Sequence, residues 1–274
     1  MTDATEQRDA FISQLRENPA VKRIEVIGGQ TLILGDCLEV MPVLGRFDHV
    51  ISDPPYEASL HAAKAHLSKL RKDAGPELKE INFAAIDAIR PALVQVVSRL
   101  CDGWFIAFCT IEGVARWADC INASPLKYKR GCIWVKPDCT PQLNGQGPAQ
   151  GAECFVTAWG GEGHAKWNAG GKRGVYRHNV NQPDRHGAHP TEKPWRLFSE
   201  LLTDFTNHGQ TILDPFMGSG TTLVSCQKMG RLGTGIEIDP DYWTAACERV
   251  HKAWQEPDMF IEQAAPKAQQ GVMI

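Results

Sequence analysis

Thr211-Ile212-Leu213-Asp214-Pro215-Phe216-Met217-Gly218-Ser219-Gly220-Thr221-Thr222, a short apolar run that breaks into a glycine-rich turn, decides the fold. The run 211–213 reads as a strand and 221–229 as a helix, so the turn sits between the two. Its glycines let the backbone approach a ligand closely, while the helix N-terminus offers free N–H groups and a positive dipole end. About twenty residues later Gly235-Ile236-Glu237-Ile238-Asp239 closes the next strand with an acid, placed to accept hydrogen bonds from both ribose hydroxyls. Asp214, Phe216, Gly218, Ser219, Gly220, Thr221, Thr222 and Glu237 are therefore candidates for a nucleoside cofactor site. A nicotinamide fingerprint fits less well, because Leu223 stands where its third glycine or alanine belongs, and no lysine follows Gly220 as in a phosphate-binding Walker loop. A glycine turn that serves packing alone remains the rival reading.

Working outward, β-like runs at 23–27, 31–35, 47–52, 104–109, 128–135, 154–159 and 232–238 alternate with helical patterns at 84–100, 111–121, 194–205 and 242–254. This rhythm predicts an α/β fold with a mostly parallel, twisted sheet and helices on both faces. The strand at 47–52 stops in Asp53-Pro54-Pro55-Tyr56, where two prolines forbid continuation of the ladder. An aromatic amino group is a poor nucleophile because its lone pair is delocalised into the ring. Hydrogen bonds from its protons to the Asp53 carboxylate and the Pro54 carbonyl would restore that lone pair and aim it, and Tyr56 would stack on a base taken out of the helix. Asp53, Pro54, Pro55 and Tyr56 are thus the catalytic candidates; taken alone, Asp-Pro-Pro also reads as a simple strand-ending turn.

Together DPPY and DPFMGSGTT resemble motifs IV and I of the amino-methylating DNA methyltransferases, and the order of the two is similar to that of the circularly permuted β class. Gly35-Asp36-Cys37, Ile133-Trp134-Val135-Lys136 and His189-Pro190-Thr191-Glu192-Lys193-Pro194 extend the resemblance over roughly residues 31 to 252. It implies a Rossmann-like methyltransferase fold that uses S-adenosyl-L-methionine to methylate double-stranded DNA at adenine N6, with cytosine N4 as the alternative and RNA, a protein amide or DNA binding without chemistry as more distant readings. It also implies that Asp36, with the Cys37 backbone nearby, meets the cofactor adenine, that Thr191 and Lys193 lie at its methionine end, and that Asp53 borders both substrates. The implied layout is a catalytic half over 21–136, a target-recognition insertion over 137–188 and a cofactor-binding half over 189–262, in an enzyme of the kind found in restriction-modification systems.

Composition agrees with a DNA enzyme whose contacts are local. The 274 residues have a net charge of -3, which excludes a uniformly basic binder, yet the segment 161–189 is enriched in lysine and arginine. Lys136, Lys166, Lys172, Arg173, Arg177 and Arg185 are candidates for DNA contact, with Asn168, Asn179 and Asn181 suited to adenine edges. The stretch 160–187 shows no hydrophobic period and reads as an exposed insertion, while 57–80 reads as a loop or lid. Nine scattered cysteines without a Cys-x-x-Cys pair suggest reduced thiols and no zinc knuckle, and His186 with His189 does not make a metal site. The polar N-terminus and the lack of a long apolar run suggest a cytoplasmic protein without a membrane segment. Phe11, Ile12 and Leu15 at helical spacing suit either a homodimer interface or a cap on the chain's own core.

Overall fold

The computed structural model describes residues 2–55, 86–140, 147–181 and 193–255, with side chains from Ala10 onward. In chain order these form α1 (Thr2–Glu17), β1 (Arg23–Ile27), β2 (Gln30–Leu34), α2 (Cys37–Val40), β3 (His49–Ser52), α3 (Ile86–Leu100), β4 (Trp104–Cys109), α4 (Gly113–Asn122), β5 (Lys127–Val135), β6 (Ala152–Trp159), β7 (Val175–Arg177), α5 (Trp195–Phe205), β8 (Thr211–Asp214), α6 (Thr221–Met229), β9 (Leu232–Glu237) and α7 (Pro240–Gln255).

The strands join one sheet in the order β1-β2-β9-β8-β3-β4-β6-β5-β7. From β2 to β4 neighbouring strands are parallel; β1, β6 and β5 then pair antiparallel with their neighbours, and β7 runs parallel to β5 at the far edge. Residues of β2, β3 and β4 are buried throughout, as a parallel sheet covered on both faces requires. Period-two alternation divides their side chains between two cores. Val50 and Phe105 face α3 and α4, joining Leu93, Val97, Trp117 and Ile121, whereas Ile51 and Ile106 face α5 and join Leu197, Leu201 and Phe205. A third cluster packs α6 and α7 on β2 through Leu32, Leu34, Leu223, Trp243 and Val250.

Ile12 and Leu15 of α1 belong to the first core, so the apolar stripe of this helix is spent within the chain, and Phe11 is left partly exposed. The described part of the basic segment is largely exposed or half-buried, but it also contributes a strand. Its residues Val175–Arg177 form β7 on the sheet, with Tyr176 fully buried against Phe155, and Trp167 stands edge-on to Phe205. A three-residue strand is too short to show a period, which is why the pattern of the sequence gives no sign of it.

Candidate active site

Adjacent parallel strands β8 and β3 end side by side. After β8 the chain returns through α6 to β9 on one face of the sheet, whereas α3, the next described helix after β3, packs on the other face, so β8 and β3 flank the topological switch point where such sheets bind ligands. The last side chain of β3 locks the two together: Ser52 Oγ donates to Asp214 Oδ1 at 2.9 Å. Asp214 also accepts from the Phe216 backbone N–H at 3.1 Å and from Thr222 Oγ1 at 2.5 Å. It is a buried hub that shapes the glycine turn. Burial pushes its carboxyl up to about 6, a rise that the three donors oppose and the nearby Asp53 charge reinforces.

Asp53 follows directly on β3, with Pro54 buried behind it. Its Oδ2 accepts from Lys193 Nζ at 2.6 Å; its Oδ1 is buried and has no hydrogen-bond partner among the described residues. Burial raises this carboxyl above the ordinary range, while the Lys193 charge draws it back down. Lys193 also lies 3.3 Å from Glu153 Oε2, and Glu153 forms a further ion pair with Lys136. Glu153, at the start of β6, was not among the candidates. An acid opening an otherwise apolar strand, Glu153-Cys154-Phe155-Val156, is the one trace of it in the sequence. Lys136, expected at the DNA surface, instead stands in this buried cluster beside Asp53.

On the other side of Asp214 the glycine turn opens. Gly218 has φ +52°, a conformation that favours glycine, and a Cβ there would meet nothing within 4 Å, so this backbone borders open space. Gly220 has φ +80° and begins α6 with its Cα face against Ala246. Glu237, at the tip of β9, accepts from the Gly218 N–H at 2.9 Å and the Asp239 N–H at 2.8 Å. Each carboxylate oxygen has a lone pair beyond these bonds. Burial lifts the Glu237 carboxyl to about 7 despite its backbone donors. The next residue, Ile238, exposes 44% of its surface at the same tip, an apolar patch suited to a flat ring that the sequence reading missed.

One strand further, Gly35 N donates to Glu237 O at 2.8 Å, which brings Asp36 to the same edge; Asp36 caps α2 by accepting from the Leu38 N–H. Adjacent strands lie about 4.8 Å apart, so the three steps from β2 to β3 set the Asp36 and Asp53 tips about 14 Å apart. That reach suits a nucleoside with an extended tail: carboxylates at the ribose and base end, an open glycine turn between, and Asp53 at the far end.

The other candidates separate into groups. Cys37 is buried, its thiol pushed up to about 12 by burial, and Phe216 packs on the first core. Ser219 is gripped by Arg249 Nη1, which donates to its hydroxyl at 2.7 Å, while Thr221 and Thr222 are buried at the start of α6, so these residues build the turn from within. Lys172 forms ion pairs with Glu200 and Asp204, and Tyr176 donates to the same Asp204, which fastens β7 to α5. Asn168 spends its amide on the Thr203 and Thr206 carbonyls. Lys166, Arg173, Arg177, Asn179 and Asn181 are exposed, and Asn181 donates its backbone N–H to Asp138. Tyr56, Thr191 and Arg185 lie outside the described residues, as do the lid at 57–80, His186 and His189.

This permuted order of strands, with a glycine turn and an acidic tip beside a carboxylate-proline tip, is the Rossmann-like α/β fold of S-adenosylmethionine-dependent methyltransferases. The chain belongs to the N6/N4 DNA methylase family, whose model, described as DNA methylase, matches residues 47–248. It is 26% identical over 248 residues to the putative methylase YubD of Escherichia coli (strain K12), a match that covers 85% of this chain and 98% of that protein. The Type II methyltransferase M.XycI of Xanthomonas campestris pv. cyanopsidis is 34% identical over 129 residues, which are 43% of this chain and only 42% of that relative. For M.HpaI of Haemophilus parainfluenzae the matched part is 24% of the relative. Two solved structures share the fold. The M1.HpyAVI–SAM complex has a TM-score of 0.62 at 23% identity, covering 81% of this chain and 98% of that one. The cytosine-N4-specific PvuII DNA methyltransferase has a TM-score of 0.64 at 16% identity, covering 90% and 92%.

Proposed function

We propose that this protein binds S-adenosyl-L-methionine and methylates the exocyclic amino group of a base flipped from double-stranded DNA, with adenine N6 as the target. The observation that supports this most is the Ser52–Asp214 hydrogen bond, because it ties the two strand tips that one transfer reaction needs into a single site. The residues fit the cofactor. Gly218 borders open space, Glu237 holds free lone pairs for ribose hydroxyls, Ile238 offers an apolar surface, and Asp36 extends the row of acceptors. The cofactor supplies an electrophilic methyl group on a sulfonium. The chain's part is to accept the amino protons at Asp53 Oδ1 and the Pro54 carbonyl, which turns the nitrogen lone pair toward that carbon. Asp53, with its raised affinity for a proton, then takes up the one the methylated nitrogen releases.

Exposed Arg173, Arg177 and Lys166 are the DNA contacts in this reading, on a segment over 137–188 that serves target recognition between a catalytic half (21–136) and a cofactor half (189–262). Lys136 and Lys172 serve the fold and the site. The names of the Type II relatives support a role in a restriction-modification pair. No helix among the described residues is long and apolar enough to cross a membrane. Expressing the full chain in a host that lacks DNA methylation and sequencing that DNA with base-modification detection tests the proposal. N6-methyladenine at one short recurring sequence is the expected result. N4-methylcytosine there would replace the choice of base, and unmodified DNA would overturn the activity.

A further inference from the structure

Four charged side chains, brought from four parts of the chain, form a row behind the reactive tip of β3. In order they are Lys136, Glu153, Lys193 and Asp53, so the signs alternate and the row is neutral as a whole. Three of the four are at most 13% exposed and Asp53 is 25% exposed. Withdrawing ions from water costs several kcal/mol each, and a well-packed apolar cluster is commonly at least as stable as a buried ion network. Stability is thus a poor reason for this row, and its end point is the proposed acceptor. Lys193 is further confined over the ring of Phe108, 5.5 Å from its centroid. Its hydrogen bond engages Oδ2 of Asp53 and leaves Oδ1 as the buried oxygen with no described partner.

Building on the methyl transfer proposed above, we propose that Lys193, held in place by Glu153 and Lys136, is a positioning residue that fixes the Asp53 carboxylate with Oδ1 presented to the target amino group. In the step this serves, the amino lone pair forms the N–CH3 bond as the S–CH3 bond breaks and its electrons return to sulfur. One proton then passes from the cationic nitrogen to Oδ1 and on to solvent. The neutral row lets Asp53 hold a negative charge beside the incoming nitrogen while a cation fixes its other oxygen. Read from the sequence, Lys193 lies at the methionine end of the cofactor; the structure adds that its ammonium group is hydrogen-bonded to Asp53.

Among the described residues, the charged groups that face Asp53 are Lys193, Glu153 and Lys136, with Asp214 on the side of β8. Removing one charge of each sign should therefore displace its titration in opposite directions. Glu153→Gln leaves Lys193 unbalanced and moves the Asp53 carboxyl down; Lys193→Met moves it up. Carbon-13 NMR of aspartate carboxyls in the ligand-free full chain follows both, with Asp53→Asn assigning the signal. Both variants should lose single-turnover methyl transfer to unmethylated genomic DNA by about 100-fold, with the Kd for S-adenosylmethionine unchanged within about twofold. Lys193→Arg, which keeps a donor, should recover part of that rate, and it continues the test should Lys193→Met not fold. Lower Tm with an unmoved Asp53 titration would reveal a merely structural row and overturn the proposal. Weaker cofactor binding with an unchanged single-turnover rate would mark Lys193 as a cofactor contact and overturn it equally. A wild-type chain that methylates no DNA refutes the proposed function instead, and the carboxyl titration in the ligand-free protein still decides the positioning role.

Discussion

Lowering the pH from 8 to 6 should weaken S-adenosylmethionine binding about tenfold, and Glu237 should be the cause. Burial lifts this carboxyl from its ordinary 4.5 to about 7 in the ligand-free protein. Ribose hydroxyls that donate to it favour the charged form, so binding selects the carboxylate. With a pKa of about 7, roughly a tenth of the molecules hold Glu237 ionised at pH 6 and roughly nine-tenths at pH 8. Affinity follows that fraction, which gives a loss of about 1.4 kcal/mol in binding free energy at the lower pH. Complex formation near pH 6 should also release close to one proton per site. Isothermal titration calorimetry in two buffers of different ionisation enthalpy reads both quantities. In Glu237→Gln the pH dependence should flatten and binding should weaken at every pH. Since its amide NH2 would face a backbone donor at Gly218 or Asp239, a thermal melt must accompany that variant. Equal wild-type affinity at pH 6 and pH 8 without proton release would refute this role for Glu237.

Three further outcomes are expected. Gly220→Ala combines a left-handed backbone with a Cβ 3.0 Å from that of Ala246 and should lower stability by about 2 kcal/mol, whereas Gly218→Ala, strained at φ +52° but facing open space, should cost about 1 kcal/mol and act mainly by weakening cofactor binding; denaturant melts and calorimetry separate the two. Asp214 has a folded-state carboxyl at about 6 against an ordinary 3.8, so the native state holds the proton more tightly. Its contribution is full below pH 3.8 and lost as pH rises through 6. The stability difference between wild type and Asp214→Asn should accordingly narrow by on the order of 3 kcal/mol from acid to neutral pH, and a constant difference would contradict the buried-carboxyl account. Replacing exposed Arg177 by alanine should weaken DNA binding and reduce the log–log salt slope by about 1, whereas Lys172→Ala should lower Tm through its lost ion pairs to α5 and change the slope little.

Much of this site was legible because a parallel sheet places the carboxyl ends of its central strands along one edge. Once 211–213 and 47–52 read as strands of such a sheet, DPPY and the glycine turn had to face the same side of it. Their adjacency, and the Ser52–Asp214 bond that depends on it, rest on the order β8-β3, which no local pattern encodes. Long-range pairing hid other parts as well. Glu153 and Lys193 are separated in sequence from Asp53 by most of the sheet, and a charged residue beside a strand reads as solvated until its partners are known. Lys136 and Lys172 counted toward a basic surface for the same reason, although buried acids neutralise both. Asp214, Ser219, Thr221 and Thr222 lie in the ligand-binding motif yet turn inward: Asp214 accepts from the Phe216 N–H and the Thr222 hydroxyl, while Arg249 donates to the Ser219 and Thr221 hydroxyls.

Asp53→Ala tests the central claim most directly. Single-turnover methyl transfer to unmethylated duplex DNA should vanish in this variant, while calorimetric affinity for S-adenosylmethionine stays close to wild type, since the proposed cofactor site is built mainly from the tips of β2, β9 and β8. Transfer at near wild-type rate without the Asp53 carboxylate would contradict the account.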